Sequence, residues 1–321
     1  MSRGKMTMCN LTLGSEVQVF QMVVAIPTFA LGFLVNVAVL VLFCRQWRNC
    51  SDMMVYLANI ALADSTALFS LPLRIYSYSH PWPFSLKACN LLISAYFVNT
   101  YVSIFTTVAI SLVRYIAVRF PFKAKVVMSS FRAMVVCVLI WVVIISLSAV
   151  FHAVDVPPPD DNSNATAPVI WCFQKNSEQP LPLSFIVVLV LVGYLLPLLI
   201  MTFCSVKVIR TLVRRDVCGS SHPERKQSVR IIAANMAVFV VCFSPVHFGY
   251  LLKFLNETHW PWDCGRLQFS HSLVHVGSSL ASTNCFLDSF SYYFLATSSW
   301  GTLREACCGT QHKDREQSAV I

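Results

Sequence analysis

Residues 179–206 read QPLPLSFIVVLVLVGYLLPLLIMTFCSV, and this run contains no Asp, Glu, Lys or Arg. A helix needs about 20 mostly apolar residues to cross the hydrocarbon core of a bilayer, so the run is long enough to span a membrane. Its internal Pro197 fits a membrane helix, because neighbouring helices there can satisfy the backbone groups that a proline frees. The run also lacks the alternation of apolar and polar residues that a strand of an outer-membrane barrel requires.

Six further segments share these properties, and together they predict seven membrane-spanning helices. Four of the six carry no charged residue: 17–44, 88–113, 133–154 and 231–252. The segment 53–79 is interrupted by Asp64 and Arg74, and the segment 267–300 by Asp288. Because backbone groups in lipid must hydrogen-bond within the protein, we expect helices throughout. The predicted fold class is an all-α membrane protein, a seven-transmembrane helix bundle.

The composition supports a membrane protein. Of the 321 residues, 56% are hydrophobic and only 12% are charged, and the mean hydropathy is +0.63. Soluble domains carry about 25% charged residues, so this chain has too few polar side chains to cover two soluble domains. The same values exclude a disordered chain.

The net charge of +9 is distributed unevenly over the predicted loops. The loops after the first, third and fifth spans, together with the segment beyond residue 300, hold 17 of the 24 Lys and Arg residues. By the positive-inside rule, these regions face the cytoplasm and the N-terminus lies outside. We therefore predict a multi-pass protein of the plasma membrane, and we expect no nucleic-acid partner.

The predicted spans divide the chain into three parts. These are an extracellular N-terminal segment, 1–16, a seven-transmembrane domain, 17–293, and an amphipathic helix with the cytoplasmic tail, 294–321. Residues 1–16 lack the apolar region of a cleavable signal peptide. Three sequons fall on the predicted outer side, and we expect glycosylation at Asn10, Asn164 and Asn256. Palmitoylation is predicted at two cysteines after the last span, Cys307 and Cys308, with chance placement as the alternative.

Four cysteines lie on the predicted outer side, where the environment is oxidising: Cys9, Cys89, Cys172 and Cys264. Three pairings are possible in principle. A Cys89–Cys172 bond would pin the loop between the fourth and fifth spans over the bundle, and it would leave Cys9 to pair with Cys264. We predict this pairing, and free outer thiols are the alternative.

Short motifs recur in order along the seven predicted spans. They are Gly32-x-x-x-Asn36, Asn59-Ile60-Ala61-Leu62-Ala63-Asp64, Ser111-Leu112-Val113-Arg114-Tyr115, Trp141, Pro197, Phe239-x-x-Cys242-Phe243-Ser244-Pro245 and Asn284-x-x-x-Asp288-Ser289-x-x-Tyr292. From residue 17 to about residue 305, the chain thereby resembles the rhodopsin-like (class A) G protein-coupled receptors. The resemblance implies a receptor that activates heterotrimeric G proteins, with a short amphipathic eighth helix after the seventh span.

Two carboxylates, Asp64 and Asp288, are predicted to lie in the low-dielectric interior, where unpaired they would cost several kcal/mol or take up protons. With polar residues at comparable depth they look like the sodium pocket of this family. The predicted sodium site consists of Asp64, Asn99, Ser103, Asn284 and Asp288, with Asn36 nearby. A polar network filled by water alone is the alternative. No other cofactor is expected.

The resemblance also assigns residues to activation. Arg114 and Tyr115 match the cytoplasmic-end motif that meets the G protein, but Val113 replaces the usual acidic residue and Arg225 is basic. We therefore expect a weakened inactive-state restraint and raised basal signalling. The remaining matches are the packing triad Ile104, Pro197 and Phe239, the hinge residue Phe243, and Tyr292. Because of Val113, Ser205 and Ser289, a receptor that binds ligand without coupling to a G protein remains the alternative.

Two segments narrow the resemblance to one branch of the family. Phe-Ser-Pro-Val-His at 243–247 and Leu-Asp-Ser-Phe-Ser-Tyr-Tyr at 287–293 look like the branch with the lysophosphatidylinositol receptor and the kynurenic-acid-responsive orphan receptor. The resemblance implies a lipid-like or small anionic agonist. A lysophospholipid such as lysophosphatidylinositol is favoured, and an aromatic carboxylic acid is the alternative. It also favours G proteins of the 12/13 class, with the inhibitory class (Gi) as a possible partner.

Basic and aromatic residues near the outer ends of the spans suggest a pocket for such an anion. The candidate ligand-binding residues are Arg74, Tyr96, Phe97, Tyr101, Lys253 and His275. Arg74 lies ten residues beyond Asp64, which is about 15 Å along a helix. Basic groups above an aromatic floor suit a phosphate or carboxylate on an apolar body. Alternatively, Arg74 and Lys253 extend to the membrane interface and the aromatic residues only pack.

Other classes of protein with seven membrane helices fit less well. A retinal protein needs a Schiff-base lysine in the seventh span, and residues 267–303 contain none. A transporter is expected to show internal symmetry, which is not found. The pair His271-x-x-x-His275 has metal-ligand spacing but lacks an intervening glutamate, so we do not expect an enzyme.

Overall fold

The computed structural model describes residues 9, 11–45, 50–155, 172–173, 182–217 and 223–288, and among these residues it contains helices and no strand. The helices are α1 (Ser15–Arg45), α2 (Asp52–Ser79), α3 (Leu86–Arg119), α4 (Pro121–Val127), α5 (Ser130–Asp155), α6 (Leu183–Val187), a π-helix (Val188–Leu195), α7 (Leu196–Val217), α8 (Pro223–His259) and α9 (Cys264–Ser282). The chain is helical again over 284–288.

Six stretches of the described chain are long and apolar enough to cross a membrane. They are provided by α1, α2, α3, α5, the continuous unit of α6, the π-helix and α7, and α8. The seventh member of the bundle is α9, which packs against α8 and α1. The predicted all-α seven-transmembrane bundle is confirmed. The predicted amphipathic helix and tail lie outside the described residues, as do Tyr292, Cys307 and Cys308.

The helices extend beyond the charge-free runs at several ends. The third helix continues to Arg119 and α8 already begins at Pro223, whereas the sequence predicted spans of 88–113 and 231–252. An absence of charge marks only the part of a helix that lies in hydrocarbon, and the helix can continue into the polar interface. The starts of helices follow capping rules, since the Ser51 and Ser85 hydroxyls accept hydrogen bonds from the first turns of α2 and α3.

The bundle exposes large apolar side chains on its surface and buries many polar ones inside. On α2, Phe69 is 70% exposed at the bundle surface, whereas Asp64 is only 1% exposed. A water-soluble protein would place these two residues the other way round. Other polar side chains from several spans are also buried: Gln21, Asn36, Asn99, Ser103, Thr106, His247, His271 and Asn284. The interior of the bundle therefore combines these polar side chains with buried apolar clusters, inside a lipid-facing apolar surface.

The sixth and seventh spans approach each other most closely beside Pro245. A Cβ atom at Gly277 would lie 2.6 Å from the backbone nitrogen of Val246, closer than side-chain carbons come to backbone. Small residues allow such direct backbone packing in membrane helices. Gly277 therefore fixes the distance between α8 and α9 at the proline of α8.

Replacing Gly277 by alanine is expected to lower the midpoint temperature of thermal unfolding of the purified protein. The added methyl group must push the two helices apart, and overpacking of this kind costs about 1–3 kcal/mol. The matched control is Gly14→Ala, because nothing lies within 4 Å of a Cβ atom at Gly14. Equal midpoint temperatures for the two variants would contradict the close packing of α8 and α9.

Candidate functional site

Two disulfide bonds lie at one end of the bundle. Cys89, in the first turn of α3, is bonded to Cys172, and Cys9 is bonded to Cys264 at the start of α9. Both predicted pairings are confirmed, so the alternative of free thiols does not apply to these four residues. We call this end the disulfide end, and the opposite end, which carries Arg114, the Arg114 end.

Arg74 lies buried near the disulfide end of α2. The residue is 4% exposed, and its Nη1 donates a hydrogen bond to Ser282 Oγ at 3.1 Å. The Arg74 Cζ atom lies 4.3 Å from the ring centroid of Tyr96 and 5.1 Å from that of Phe173. Within the described chain, no carboxylate pairs with Arg74, and its Nε has no hydrogen-bond partner. A buried cation without an anion is costly, which makes this position a strong candidate for binding an anionic ligand.

A cavity of about 30 Å³ connects Arg74 to the carboxylate of Asp64. Its other polar lining residues are Ser70, Tyr96, Asn99, Thr100, Ser103, Ser282 and Asn284. This volume has room for about two water molecules or an ion with one water, so a lipid headgroup needs the disulfide end to widen. Arg74, the cation predicted to bind the agonist, therefore shares one cavity with four of the five predicted sodium ligands, all except Asp288.

The two carboxylates of the predicted sodium site, the buried Asp64 and the partly buried Asp288, have different partners. Asp64 Oδ1 accepts a hydrogen bond from Ser103 Oγ at 3.3 Å, while Asp64 Oδ2 has no partner among the described residues. Asp288 Oδ2 accepts from Asn284 Nδ2 at 2.7 Å. Asn36, by contrast, donates to two backbone carbonyl oxygens, of which that of Cys285 is 2.8 Å away. The unpartnered oxygen of Asp64 makes the cavity suitable for a cation.

Of the predicted ligand residues, only Arg74 and Tyr96 line this cavity, and Lys253 and His275 lie elsewhere. Lys253 pairs with Glu257 at 3.7 Å. His275 Nδ1 lies 3.4 Å from Gln21 Nε2, and its ring centroid is 4.7 Å from that of His271. These residues form a separate polar group between the first, sixth and seventh spans.

The aromatic residues of the predicted floor have different further partners, although the Tyr96 and Phe97 rings contact each other edge to face at 5.6 Å. Tyr96 lies against Arg74, as described above, and its hydroxyl donates to the Ser278 carbonyl at 3.3 Å. The Phe97 ring packs with Phe185 and Tyr250, at centroid distances of 6.2 and 6.1 Å. The structure therefore brings together Arg74 and Tyr96 and sets Phe97 among the third, fifth and sixth spans.

Tyr101 belongs to a buried network that includes His247, a residue not predicted as functional. The Tyr101 hydroxyl lies 3.0 Å from His247 Nε2, and His247 Nδ1 lies 2.7 Å from the Phe243 carbonyl oxygen. Since a carbonyl only accepts, Nδ1 carries the proton and Nε2 accepts from the Tyr101 hydroxyl. The Tyr194 ring stacks on His247 at 4.7 Å, and its hydroxyl is hydrogen-bonded to Ser244.

Gly193 in the π-helix allows the fifth span to approach this network. A Cβ atom at Gly193 would lie 2.5 Å from Tyr101 Cε1. The network contacts the predicted packing triad, because the Tyr194 ring also stacks on Phe239 at 6.0 Å. Ile104, Phe239 and Phe243 lie in one buried cluster, and Pro197 is fully buried. Polar His and Tyr residues within otherwise apolar spans were the available sequence signal for this network.

A second, smaller cavity lies at the Arg114 end. Arg114 lines it together with Ser205 and residues of the fifth and sixth spans. In the part of the chain that the structure describes, Arg114 forms no ion pair or hydrogen bond. Val113 packs against the apolar cluster of Tyr56 and Ile110 and supplies no charge to Arg114. The neighbouring Tyr115 ring packs edge-on against Phe203.

One of the predicted glycosylation sites is described. Asn256 is 5% exposed, and its Nδ2 donates to the Arg266 carbonyl oxygen at 3.1 Å. A glycan on Asn256 would require this hydrogen bond to open, and the site stays a prediction. Asn10 and Asn164 lie outside the described residues, as does the side chain of Arg225.

Comparisons with known proteins agree with this arrangement. A family model described as "7 transmembrane receptor (rhodopsin family)" matches residues 35–292. The mouse protein named G-protein coupled receptor 35 is 30% identical over 318 residues, which is 98% of each chain. Mouse lysophosphatidic acid receptor 4 is 28% identical over 83% of this chain and 71% of its own length. Human G-protein coupled receptor 55 is 30% identical over 86% of this chain and 84% of its own length.

The contact between Tyr101 and His247 predicts coupled effects of mutation. Tyr101→Phe leaves the buried His247 Nε2 without its donor, which is expected to cost about 1–3 kcal/mol of unfolding free energy. In the double variant with His247→Phe, the two losses should be less than additive, because the second substitution removes the unsatisfied atom. Thermal unfolding of the four proteins measures this coupling. Fully additive losses would show that the two side chains do not interact.

Proposed function

We propose that this chain, which belongs to the rhodopsin family of seven-transmembrane receptors, binds an anionic, lipid-like agonist at the disulfide end. It is a G protein-coupled receptor, and we assign the Arg114 end to contact with the heterotrimeric G protein. The disulfide end is then extracellular, in agreement with the positive-inside rule. The preferred ligand is a lysophospholipid, for example lysophosphatidylinositol.

The buried guanidinium of Arg74 carries this proposal. Bilayer and protein interior both penalise an isolated cation, and a phosphate or carboxylate is the group that most directly offsets that cost. Arg74 lines the shared cavity, and its Nε has no hydrogen-bond partner among the described residues. One relative is named for lysophosphatidic acid, a lipid with one acyl chain and one phosphate on a glycerol backbone. This chemistry supports a phosphate on Arg74 with the apolar chain against aromatic side chains.

The part of the same cavity that lies around Asp64 is suitable for a sodium ion. Asp64, Asn99, Ser103 and Asn284 would hold it, with Asp288 behind Asn284. A bound sodium ion would supply a positive charge that neutralises the Asp64 carboxylate. Since Arg74 and Asp64 line one cavity, an anion bound to Arg74 changes the electrostatic field at Asp64. The side chains around Asp64 could then adopt a second packing, as a receptor switch requires.

The signal has a mechanical route to the Arg114 end through the network of Tyr101, His247 and Tyr194. These side chains link the third, fifth and sixth spans next to the packing triad, on the side that faces the disulfide end. Movement of Tyr101 acts on His247, which is hydrogen-bonded to the backbone next to Pro245. A proline in a helix is a natural hinge, so the part of α8 that precedes Pro245 in the chain and lies beside Arg114 can swing away from it.

Arg74→Ala is expected to abolish or strongly weaken the response to lysophosphatidylinositol. Loss of a buried charge-paired hydrogen bond typically reduces affinity by about 30-fold or more. The measurement is agonist-stimulated nucleotide exchange across the four Gα classes, at matched surface expression. Arg266→Ala is the control, because Arg266 is a half-exposed arginine at the same end that pairs with Asp263. An unchanged half-maximal concentration for Arg74→Ala would remove Arg74 from the ligand site.

The absence of an acidic neighbour at Arg114 predicts raised basal signalling. Cells that express the receptor without agonist should show more G protein activation than mock-transfected cells. Val113→Asp places a carboxylate beside Arg114 and is expected to lower this basal activity. Val113→Asn, which introduces a side chain of the same shape without the charge, should lower it less. Basal activation equal to that of mock cells would contradict the prediction.

A further inference from the structure

The histidine pair of α9 has no role in the anion site at Arg74. His271 and His275 are one helical turn apart, so their side chains lie on the same face of α9. Both residues are buried, with 3% and 7% of their surface exposed, and their ring centroids are 4.7 Å apart. Two imidazole rings held this closely inside a membrane bundle require polar partners.

The described chain leaves two atoms of this group without such partners. His271 Nε2 and Gln21 Oε1 are buried and form no hydrogen bond to any described residue. Gln21, on α1, has no exposed surface, and its Nε2 lies 3.4 Å from His275 Nδ1. A buried polar atom without a protein partner often marks the position of a water molecule or an ion. The unprotonated nitrogen of a neutral imidazole is also a metal ligand.

The separation of the two rings is suitable for one zinc-type ion. Zinc binds imidazole nitrogen at about 2.0–2.1 Å, so two rings on one tetrahedral zinc ion have centroids about 5 Å apart. The observed centroid distance is 4.7 Å. Among the residues that the structure describes, no third His, Cys, Asp or Glu completes a cluster around the pair. Water would therefore fill the remaining positions, in contrast to a closed structural zinc site.

Gln21 is placed to orient His275 for metal binding. When a histidine binds a metal through one ring nitrogen, its other ring nitrogen usually donates a hydrogen bond to an oxygen. With the metal on His275 Nε2, the proton lies on Nδ1, and the Gln21 amide turns so that Oε1 accepts it. This arrangement gives the unpartnered Gln21 Oε1 a donor. Gln21 is thereby a positioning residue, and it connects α1 to the metal on α9.

The charges around the pair are compatible with a bound cation. Lys253 belongs to the same polar group, but it pairs with Glu257 at 3.7 Å, and this pair has no net charge. Arg74 meets α9 at Ser282, which lies seven residues, or about 10 Å of helix, beyond His275. The cavity that Arg74 lines includes neither histidine. A cation at the histidine pair therefore occupies a site separate from the anion site.

We propose that His271 and His275 bind a divalent transition-metal ion of the zinc type. His271 lies seven residues after Cys264, about 10 Å from the start of α9 at the disulfide end. In the orientation given under the proposed function, the ion enters from outside the cell. Imidazole favours zinc, copper and nickel over magnesium and calcium, which prefer oxygen ligands. Through Gln21, the bound ion stabilises the packing of the first span against the seventh.

Titration calorimetry tests the site in the full chain, purified in detergent without a chelator. We expect saturable binding of Zn²⁺ and none of Mg²⁺. His271→Ala and His275→Ala should each weaken Zn²⁺ binding by roughly tenfold or more, because chelation by two rings is lost. Gln21→Ala removes the oxygen that orients His275 and should weaken binding by about tenfold. His271→Cys keeps a zinc ligand and should retain binding, which a variant that fails to fold would not do.

The matched control is His259→Ala, because His259 is an exposed histidine at the last residue of α8, at the same end of the bundle. This variant should bind Zn²⁺ with the affinity of the unsubstituted chain. The proposal is overturned if no Zn²⁺ binds or if Mg²⁺ binds equally well. It is also overturned if His271→Ala and His275→Ala bind Zn²⁺ as tightly as His259→Ala does.

Copper provides a spectroscopic test that a purely structural role of the histidines does not affect. With one equivalent of Cu²⁺, the electron paramagnetic resonance spectrum of the unsubstituted chain should show two coordinated imidazole nitrogens. This pattern should be lost in His271→Ala and in His275→Ala. Two coordinated imidazole nitrogens in both variants would assign the ion to other side chains and overturn the proposal. Because neither agonist nor G protein is present, failure here is distinguishable from failure of anion binding at Arg74.

Discussion

The exclusion of polar groups from lipid is the constraint on which the rest of this structure depends. Since the hydrocarbon core offers no hydrogen-bond partners, the charged and amide side chains deep in the spans turn inward. In α2 this places Asp64 and Arg74 inside the bundle and leaves Phe69 on the surface. The result is an axis of polar groups that runs from Arg74 past Asp64 toward Arg114. A receptor needs such an axis, because a conformational change has to pass from one side of the membrane to the other through a medium that excludes water.

The bundle could be predicted well from the sequence because the main signal is the absence of charge over membrane-length runs. That signal has a single physical cause, the cost of placing a charged side chain in lipid. The disulfides could be predicted for a similar reason, since only four cysteines fall on the outer side. The residues around Asp64 were also found, because amide and hydroxyl groups deep in apolar spans are costly to bury unless they hydrogen-bond to one another, to water or to an ion. In each case a local property of the sequence determined the location of the residue.

The ligand pocket could be predicted only in part. Arg74 and Tyr96 are in contact, but Lys253 and His275 have partners of their own, Glu257 and Gln21. Depth along a helix can be read from residue numbers, whereas the direction in which a side chain points depends on how the helices rotate against one another. Phe173 was missed because it lies in a loop, where no periodicity indicates a contact. Its contact with Arg74 depends on the disulfide and on a left-handed backbone that few sequences signal.

The proposed recognition of an anionic agonist depends on Arg74, which would join the ligand to the polar groups inside the bundle. The most direct measurement uses the purified receptor in lipid nanodiscs with purified G proteins. It compares nucleotide exchange stimulated by lysophosphatidylinositol, which is anionic, with that stimulated by lysophosphatidylcholine, a zwitterionic lysolipid. We predict stimulation by the anionic lipid and little by the zwitterionic one. Equal stimulation by both lipids, or stimulation by the zwitterionic lipid alone, would contradict recognition of the agonist through its negative charge.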